Sequence, residues 1–591
     1  MKSQVIVAVV AAMTLGAQAA TNYHSGDIIS SVTWKASDYH NMTNRVNVLP
    51  GATLTIEPGT VITSDGGTLA IAAGAQIFAK GTKDAPIIFT SVNDDRQNWR
   101  AACQEWGSLA IMGEGIISSH VYKNDVKNGT ASAAAAVGTH TRTMEGLISQ
   151  GDGREIYGGN NDDYDAGTLS YVSFRYGGQV LEEASELNGL SLGGVGRETQ
   201  VDHIEIMNNV DDGIEIWGGT VCLKYISIWN IGDDSLDCDQ GWRGKVQHGL
   251  IVQGYSADAS QGSGVGDNCI EMDGSEDSDC EPHTTSTLYN FTVIGNSVSG
   301  DHGMALRDNV RLQVRNSVFI GAAKNDGQLI DEEADGDGAS GWNIAQGATT
   351  PGSGGKGVPH AALKTVPNME DTYGIAYNAN ASAGDLDRIE AAGFTSNGIY
   401  WAQTDGYMNE LTDTVVYDVS LGGHVVEIIQ NAYAGFDVTA ASALPVASVT
   451  YATNALASFG KSVEYVTSLD PRAANDAVSA DSLPTNDGFF DQVSYRGAFS
   501  PNYNWLAGWT AADEFGLVDT SANNAATTIG GVATGITFSF PSEAGITYSV
   551  QRASTANGTY SEVATVLGTG ADLSYIDTTA DASAFYKVVA Q

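Results

Sequence analysis

Asp211-Asp212-Gly213-Ile214-Glu215-Ile216, Asp233-Asp234-Ser235-Leu236-Asp237-Cys238, Asp267-Asn268-Cys269-Ile270-Glu271-Met272 and Asp301-His302-Gly303-Met304-Ala305-Leu306 are four copies of one pattern. Each has an Asp, two polar or small residues, then an apolar, an outward and an apolar position, at spacings of 22, 34 and 34 residues. Short β-like stretches precede the copies at 201–207, 223–229, 246–252 and 288–294. A unit of two short strands and turns cannot bury its own apolar face, so it must stack on its neighbours. Side chains alternate along a strand. Ile214, Ile216, Leu236, Cys238, Ile270, Met272, Met304 and Leu306 therefore point inward. Glu215, Asp237, Glu271 and Ala305 form an outward column, with Asp239, Asp273 and Arg307 one step further on. That column is the candidate functional face.

A tighter repeat lies upstream. Residues 52–60, ATLTIEPGT, return at 68–75 as TLAIAAGA, and 86–91, PIIFTS, continue the ladder. Both are alternating strands closed by a Gly turn. These are the first coils of a solenoid, with 21–47 as the cap that shields its open strand edge. Residues 92–167 break the rhythm, with one strand at 106–113, an Ala-rich excursion at 119–147 and a polar turn at 157–163. The coils resume at 169 and end near Ile330. Residues 331–360 form a Gly- and acid-rich loop, including Asp331-Glu332-Glu333 and 335–337, and 361–520 lose the repeat. Two short helices are expected there, at 385–392 and 470–478. The aromatic stretch 489–510 is expected to pack on the solenoid, with Trp505 and Trp509 among its packing residues. A polar linker at 518–528 leads to strands at 536–540, 547–553, 560–566, 573–575 and 585–589, a small β-sandwich. The expected division is thus 1–20, 21–345, 346–520 and 529–591.

The first 20 residues read as a signal peptide, with Lys2, an apolar core at 5–15 and Ala17-Gln18-Ala19 as the cleavage site. No later run reaches the roughly 18 apolar residues of a membrane span. The protein is therefore expected to be secreted or held at the cell surface. Lys and Arg number 28 against 70 Asp and Glu, a net charge of −42. That balance argues against nucleic acid and anionic membrane as partners, and against a polyanionic ligand unless calcium bridges the charges. Of the five cysteines, Cys269 and Cys280 bracket an acidic loop and are candidates for a disulfide, Cys238 is inward, and Cys103 and Cys222 have no visible partner.

Residues 48–510 resemble a group of secreted bacterial surface proteins, on the stretches LTIEPGTVI, APIIFTS, YGGNNDDYDAGTLSYVSFRYGG, ELNGLSLGGVG, NNVDDGIEIWGGTV, GDDSLDCDQGWRGK and GAFSPNYNWLAGWT. The resemblance implies an all-β chain built on a right-handed parallel β-helix, the pectate-lyase-like solenoid, at the cell surface. A narrower resemblance is to polygalacturonase-like glycoside hydrolases, through Asn209-Val210-Asp211, Gly232-Asp233-Asp234 and Asp301-His302-Gly303 in order. The chain departs from that pattern. The first motif lacks its Thr, Asp301 replaces a Gly, and no Arg-x-Lys follows, leaving Arg307 and Arg311 as the nearby bases. Residues 529–591 resemble a shortened fibronectin type III module, on Tyr548-Ser549-Val550-Gln551-Arg552 and Phe585-Tyr586-Lys587-Val588-Val589.

Three chemistries compete for the column. In the first, Asp side chains cap their own turns, coil after coil. In the second, Asp237, Asp239, Glu271 and Asp273, with Glu215, offer hard oxygens one or two coil spacings apart and hold calcium. Glu215, Trp217, Asp237 and Glu271 then engage glycan, with Trp217 outward as a sugar platform and Trp229 and Trp242 nearby. In the third, Asp211, Asp233 and Asp234 are an acid/base set, His302 tunes their charge and Arg307 binds substrate. The expected function is an exported binding or structural protein that engages a polysaccharide or cell-surface glycan through the acidic face. The alternative is an extracellular polysaccharide hydrolase or lyase.

Overall fold

The computed structural model describes residues 20–120, 136–179, 187–254, 266–275, 280–296, 302–307, 310–322 and 327–331, then 393–521 and 529–590 apart from short stretches. The expected leader, the Ala-rich centre of the excursion, Asp301, Glu332-Glu333, 335–337 and the helix expected at 385–392 lie outside the described residues.

Three parallel faces wind into a β-helix, visited in the order A, B, C in each coil. Face A holds Val32–Trp34, Thr53–Ile56, Gln76–Lys80, the first halves of four long bent strands, Gly167–Arg175, Gln200–Asn209, Cys222–Ile231 and Lys245–Val252, and the start of Thr285–Ile294. Face B holds Val61–Ser64, Ile87–Ser91, the second halves of the same bent strands and Val318–Ile320. Face C holds Leu69–Ile71, Leu109–Met112, Leu190–Gly193, Ile214–Trp217, Leu236–Asp239, Ile270–Asp273, Met304–Arg307 and Ile330–Asp331. Every one of these pairings is parallel.

The inward positions build the lumen. Ile214, Ile216, Leu236, Cys238, Ile270, Met272, Met304 and Leu306 are all fully buried in one continuous apolar core with their counterparts on faces A and B. Trp242 lies in that core as well. Cys269 is buried there as a free thiol, so the disulfide expected with Cys280 is not formed by it.

Two expectations about extent are corrected. The stack does not end near Ile330: Glu410–Tyr417 pairs in parallel with Arg311–Arg315 and Val318–Ile320, and Phe436–Ala440 pairs with it in turn. The stretch from 332 to 392 separates these last rungs from the rest, so their spacing no longer betrays the repeat. The helix expected at 470–478 is instead the end of the strand Lys461–Ala473, followed by a single 3-10 turn at Asn475–Ala477. Its partner strand, Val446–Leu456, completes a long antiparallel hairpin.

The outside of face B explains where the later chain goes. Met207, Trp229, Leu250, Val252, Ile294, Val318 and Ile320 point away from the lumen, yet they are buried against Val446, Val466, Leu469, Tyr495, Phe499, Trp505 and Trp509. Ion pairs pin the cover at its margin, Lys224 Nζ to Asp491 Oδ1 at 2.8 Å and Lys245 Nζ to Asp487 Oδ2 at 2.6 Å. Glu205, fully buried, accepts the N–H groups of Ala511 and Ala512 at the start of the short helix Ala511–Glu514. Beyond it, two three-stranded antiparallel sheets share a small core of Phe540, Tyr548 and Val550. Among the described residues no helix is long and apolar enough to cross a membrane.

The lumen is close-packed, so a cavity within it cannot collapse freely. Leu236→Ala should lower the unfolding free energy by about 2–5 kcal/mol, read from a denaturant titration.

Candidate functional site

Face C carries two acidic columns side by side. The turn entering each face-C strand supplies the first. Asp212 N–H donates to Asn188 Oδ1 at 3.2 Å, Asp234 N–H to Asp212 Oδ1 at 3.0 Å, and Asn268 N–H to Asp234 Oδ1 at 2.6 Å. One position of the repeat thus uses its side-chain oxygen to accept the backbone N–H of the next coil. His302 does the same with Nδ1, which accepts from Gln328 N–H at 3.1 Å. Because Nδ1 accepts, the neutral ring carries its hydrogen on Nε2, which lies 3.5 Å from Asp331 Oδ2. His302 is therefore a rung of this ladder.

The second column is the outward position of the strand. Ser191, Glu215, Asp237, Glu271, Ala305 and Asp331 face one another in successive coils. Asp211, Asp233 and Asp267 flank the turn column, half-buried. Together these make three overlapping triads in which one oxygen from each carboxylate lies within 4.8 Å of the others: Asp211, Asp212 and Asp233; Asp212, Glu215 and Asp237; Asp233, Asp234 and Asp267. Two oxygens bound to one calcium at 2.3–2.6 Å can be at most about 5 Å apart, so each triad has cation-holding dimensions. Asp237 Oδ1 is also buried without a hydrogen-bond partner among the described residues.

Burial pushes the carboxyls of Asp212, Glu215, Asp234 and Asp237 well above the ordinary carboxylate range, because a charge loses its water there. Neighbouring carboxylates push further: Asp211 on Asp212, Asp237 on Glu215, and Glu271 on both Asp234 and Asp237. Relief comes from two sides. Asn188 Nδ2 donates to Glu215 Oε2. Arg307 reaches Asp273 with Nε and Nη2, both at 2.8 Å, and Glu271 with Nη2 at 2.8 Å. Burial opposes the Arg307 charge, but Asp273 and Glu271 hold its pKa above the usual arginine value.

The structure thus brings Asp211, Asp233 and Asp234 together and groups Glu215, Asp237, Asp239, Glu271 and Asp273 along the neighbouring strands. It corrects other assignments. Arg307, expected to bind substrate, has its guanidinium fork on Asp273 and Glu271. Trp217, expected to be exposed, is only 4% exposed. It does point out of the lumen, but Met144 and Leu147 of the excursion and Tyr157 beyond it lie over it. Trp229 is buried under the face-B cover. Asp212 and Asp267 were not singled out from sequence, although Asp212 occupies the same repeat position as Asp234.

A carboxyl whose folded pKa is raised contributes stability below its unfolded value, near pH 4, and loses it as pH climbs through the raised value. Burial also lowers the pKa of His24, to about 4, and of His283, and these two act in the opposite sense below about pH 6.5. Asp212→Asn with Glu215→Gln removes two of the acids and leaves the histidines alone. In calcium-free solution the wild type should lose several degrees more of melting temperature than this variant between about pH 5 and about pH 8, followed by circular dichroism.

Residues 26–348 match the family model described as a pectate-lyase-like β-helix domain. No curated protein and no solved structure matches the chain. Taken with the parallel faces, that match, over more than half of the chain, places it: the protein belongs to the pectate-lyase-like β-helix family.

Proposed function

We propose that the protein is an exported, cell-surface or extracellular binding protein that engages glycan through face C, with calcium held by its carboxylates. The observation that carries the reading is chemical redundancy in the turn ladder. Asn188 occupies that position at one end, so an amide oxygen suffices to accept the next coil's N–H. The carboxylates of Asp212 and Asp234 add charge that the hydrogen bond does not require. Charge that is buried, repelled and structurally unnecessary is what a divalent cation would relieve. Asp211, Asp212, Asp233, Glu215 and Asp237 supply hard oxygens for one or two ions, and Glu271, Asp273 and Asp239 extend the acidic surface. A bound calcium would in turn offer coordination to the carboxylates or hydroxyls of a glycan. The family match supports a glycan-related role, and the C-terminal sheets suit a spacer or attachment module of fibronectin type III kind.

The alternative is a polysaccharide hydrolase using Asp211, Asp233 and Asp234. Against it, Asp211, Asp233 and Asp234 are crowded by further carboxylates, Asp212 and Asp267, rather than standing as an isolated pair. A lyase would need a base, and the nearest one on face C, Arg307, is engaged by two carboxylates.

Residues 21–591 should bind calcium and, at about 100 times Kd, gain roughly 2.7 kcal/mol of stability, while Asp237→Asn should gain much less. On a panel of neutral and acidic polysaccharides with and without calcium, the protein should be retained without new reducing ends or unsaturated products. Turnover abolished by Asp234→Asn would establish the hydrolase instead.

A further inference from the structure

We propose that the acidic lane on face C is closed at its upstream end, so that it takes the terminal few sugars of a glycan chain rather than a stretch of its interior. This rests on the glycan reading above. The lane has a sharp boundary. Upstream, the outward positions Ala70, Ala110, Met112 and Ser191 are each 0–1% exposed. Downstream, Asp237, Asp239, Glu271, Asp273, Arg307 and Asp331 are all partly exposed, while the small Ala305 between Glu271 and Asp331 is buried. Glu215 and Trp217 mark the change.

The excursion makes this wall. Its last part pairs as a short hairpin with the segment that follows, Arg142–Thr143 with Ile156–Tyr157. Met144, Leu147 and Tyr157 fill the space above face C in one apolar cluster with Ala110, Met112 and Trp217. There is no slack for a ligand. A methyl group added at Gly193 would meet the Tyr157 ring at 2.6 Å and Met144 Cε at 2.7 Å. The wall is fastened at both margins. Tyr157 OH donates to Gln240 Oε1 at 2.8 Å, on the coil of Asp237. On the far side Arg45 reaches Glu155 Oε1 at 3.0 Å and the Ile148 carbonyl at 2.7 Å. Glu155 is 1% exposed, and its Oε1 also accepts from Gln150 N–H at 2.9 Å. A glycan lying along the lane from Asp331 toward Asp237 spans three rung spacings, about 14 Å, and then meets Trp217, Met144, Leu147 and Tyr157, packed over a buried Glu215, whose apolar surfaces cannot replace its lost water. A chain end fits that termination; a continuing polymer does not.

The test uses residues 21–591 in calcium, with oligogalacturonates of defined lengths and polygalacturonate as probes. Binding should follow the concentration of chain ends, so curves for short and long probes coincide on that axis, and polygalacturonate binds at least tenfold more weakly per sugar. Arg45→Ala with Glu155→Gln loosens the wall and should raise polymer binding per sugar several-fold, with little change for the shortest oligomers. If that variant does not fold, the wild-type comparison decides alone. Curves that coincide against total sugar would overturn the closed end while leaving glycan binding intact. Retention of none of the probes would overturn the glycan reading and the closed end with it.

Discussion

Parallel stacking sets every residue of one coil against its counterpart in the next, about 4.8 Å away, and each column must be compatible with itself. In the lumen this is easy, because Ile216, Cys238 and Met272 simply continue one another. At the corner between faces A and B it demands more. Tyr171, His203, Tyr225, His248 and Asn290 all sit at positive φ, between 51° and 62°, a conformation costing roughly 1–2 kcal/mol for a residue with a Cβ. Four of them repay the chain with a ring stack, at centroid distances of 4.0, 4.5 and 4.6 Å. Trp505 and Trp509 close the stack edge-on. At the turn into face C the column satisfies itself by hydrogen bonds from coil to coil. The carboxylates of face C repeat against themselves unfavourably.

How far the sequence reveals this depends on which force fixes each residue. Alternation within a strand is local, so the eight inward positions of the central repeat could be read directly. Burial by a distant segment is not local. Trp217 was correctly directed outward, but nothing near it announces that Tyr157 and Met144 lie above it. Tyr225 and His203 look like ordinary strand residues, and no local signal marks their left-handed backbone. His302 and Arg307 show the opposite failure. Their motif context suggested chemistry, whereas His302 accepts a backbone N–H and Arg307 neutralises two acids. Asp212 was legible all along as the repeat partner of Asp234.

The three faces have been given different tasks by their outward residues. Face B presents Trp229, Leu250 and Val252 and is sealed by the later chain. Face A carries Lys224 and Lys245 and anchors the margin of that cover. Face C is sealed upstream by the excursion and acidic beyond it. The lumen holds the three together, so side chains outside it are free to differ without disturbing the stack.

A net charge of −42 would scatter acids over any exposed surface, and general acidity is the simplest account of face C. The ends of the two columns argue against it. Along the turn, Asp212 and Asp234 are bounded by Asn188, which makes the same hydrogen bond without charge, and by Asn268. Along the strand, Glu215, Asp237 and Glu271 are bounded by Ser191 and Ala305. Both columns are neutral in the coil of Asn188 and Ser191 and charged in the two coils that follow, those of Asp212 with Glu215 and Asp234 with Asp237. Solubility gives no reason for two independent positions to gain charge in the same coil, least of all where burial and repulsion raise the pKa of four of those acids. A localised ligand that needs oxygen atoms from both columns does.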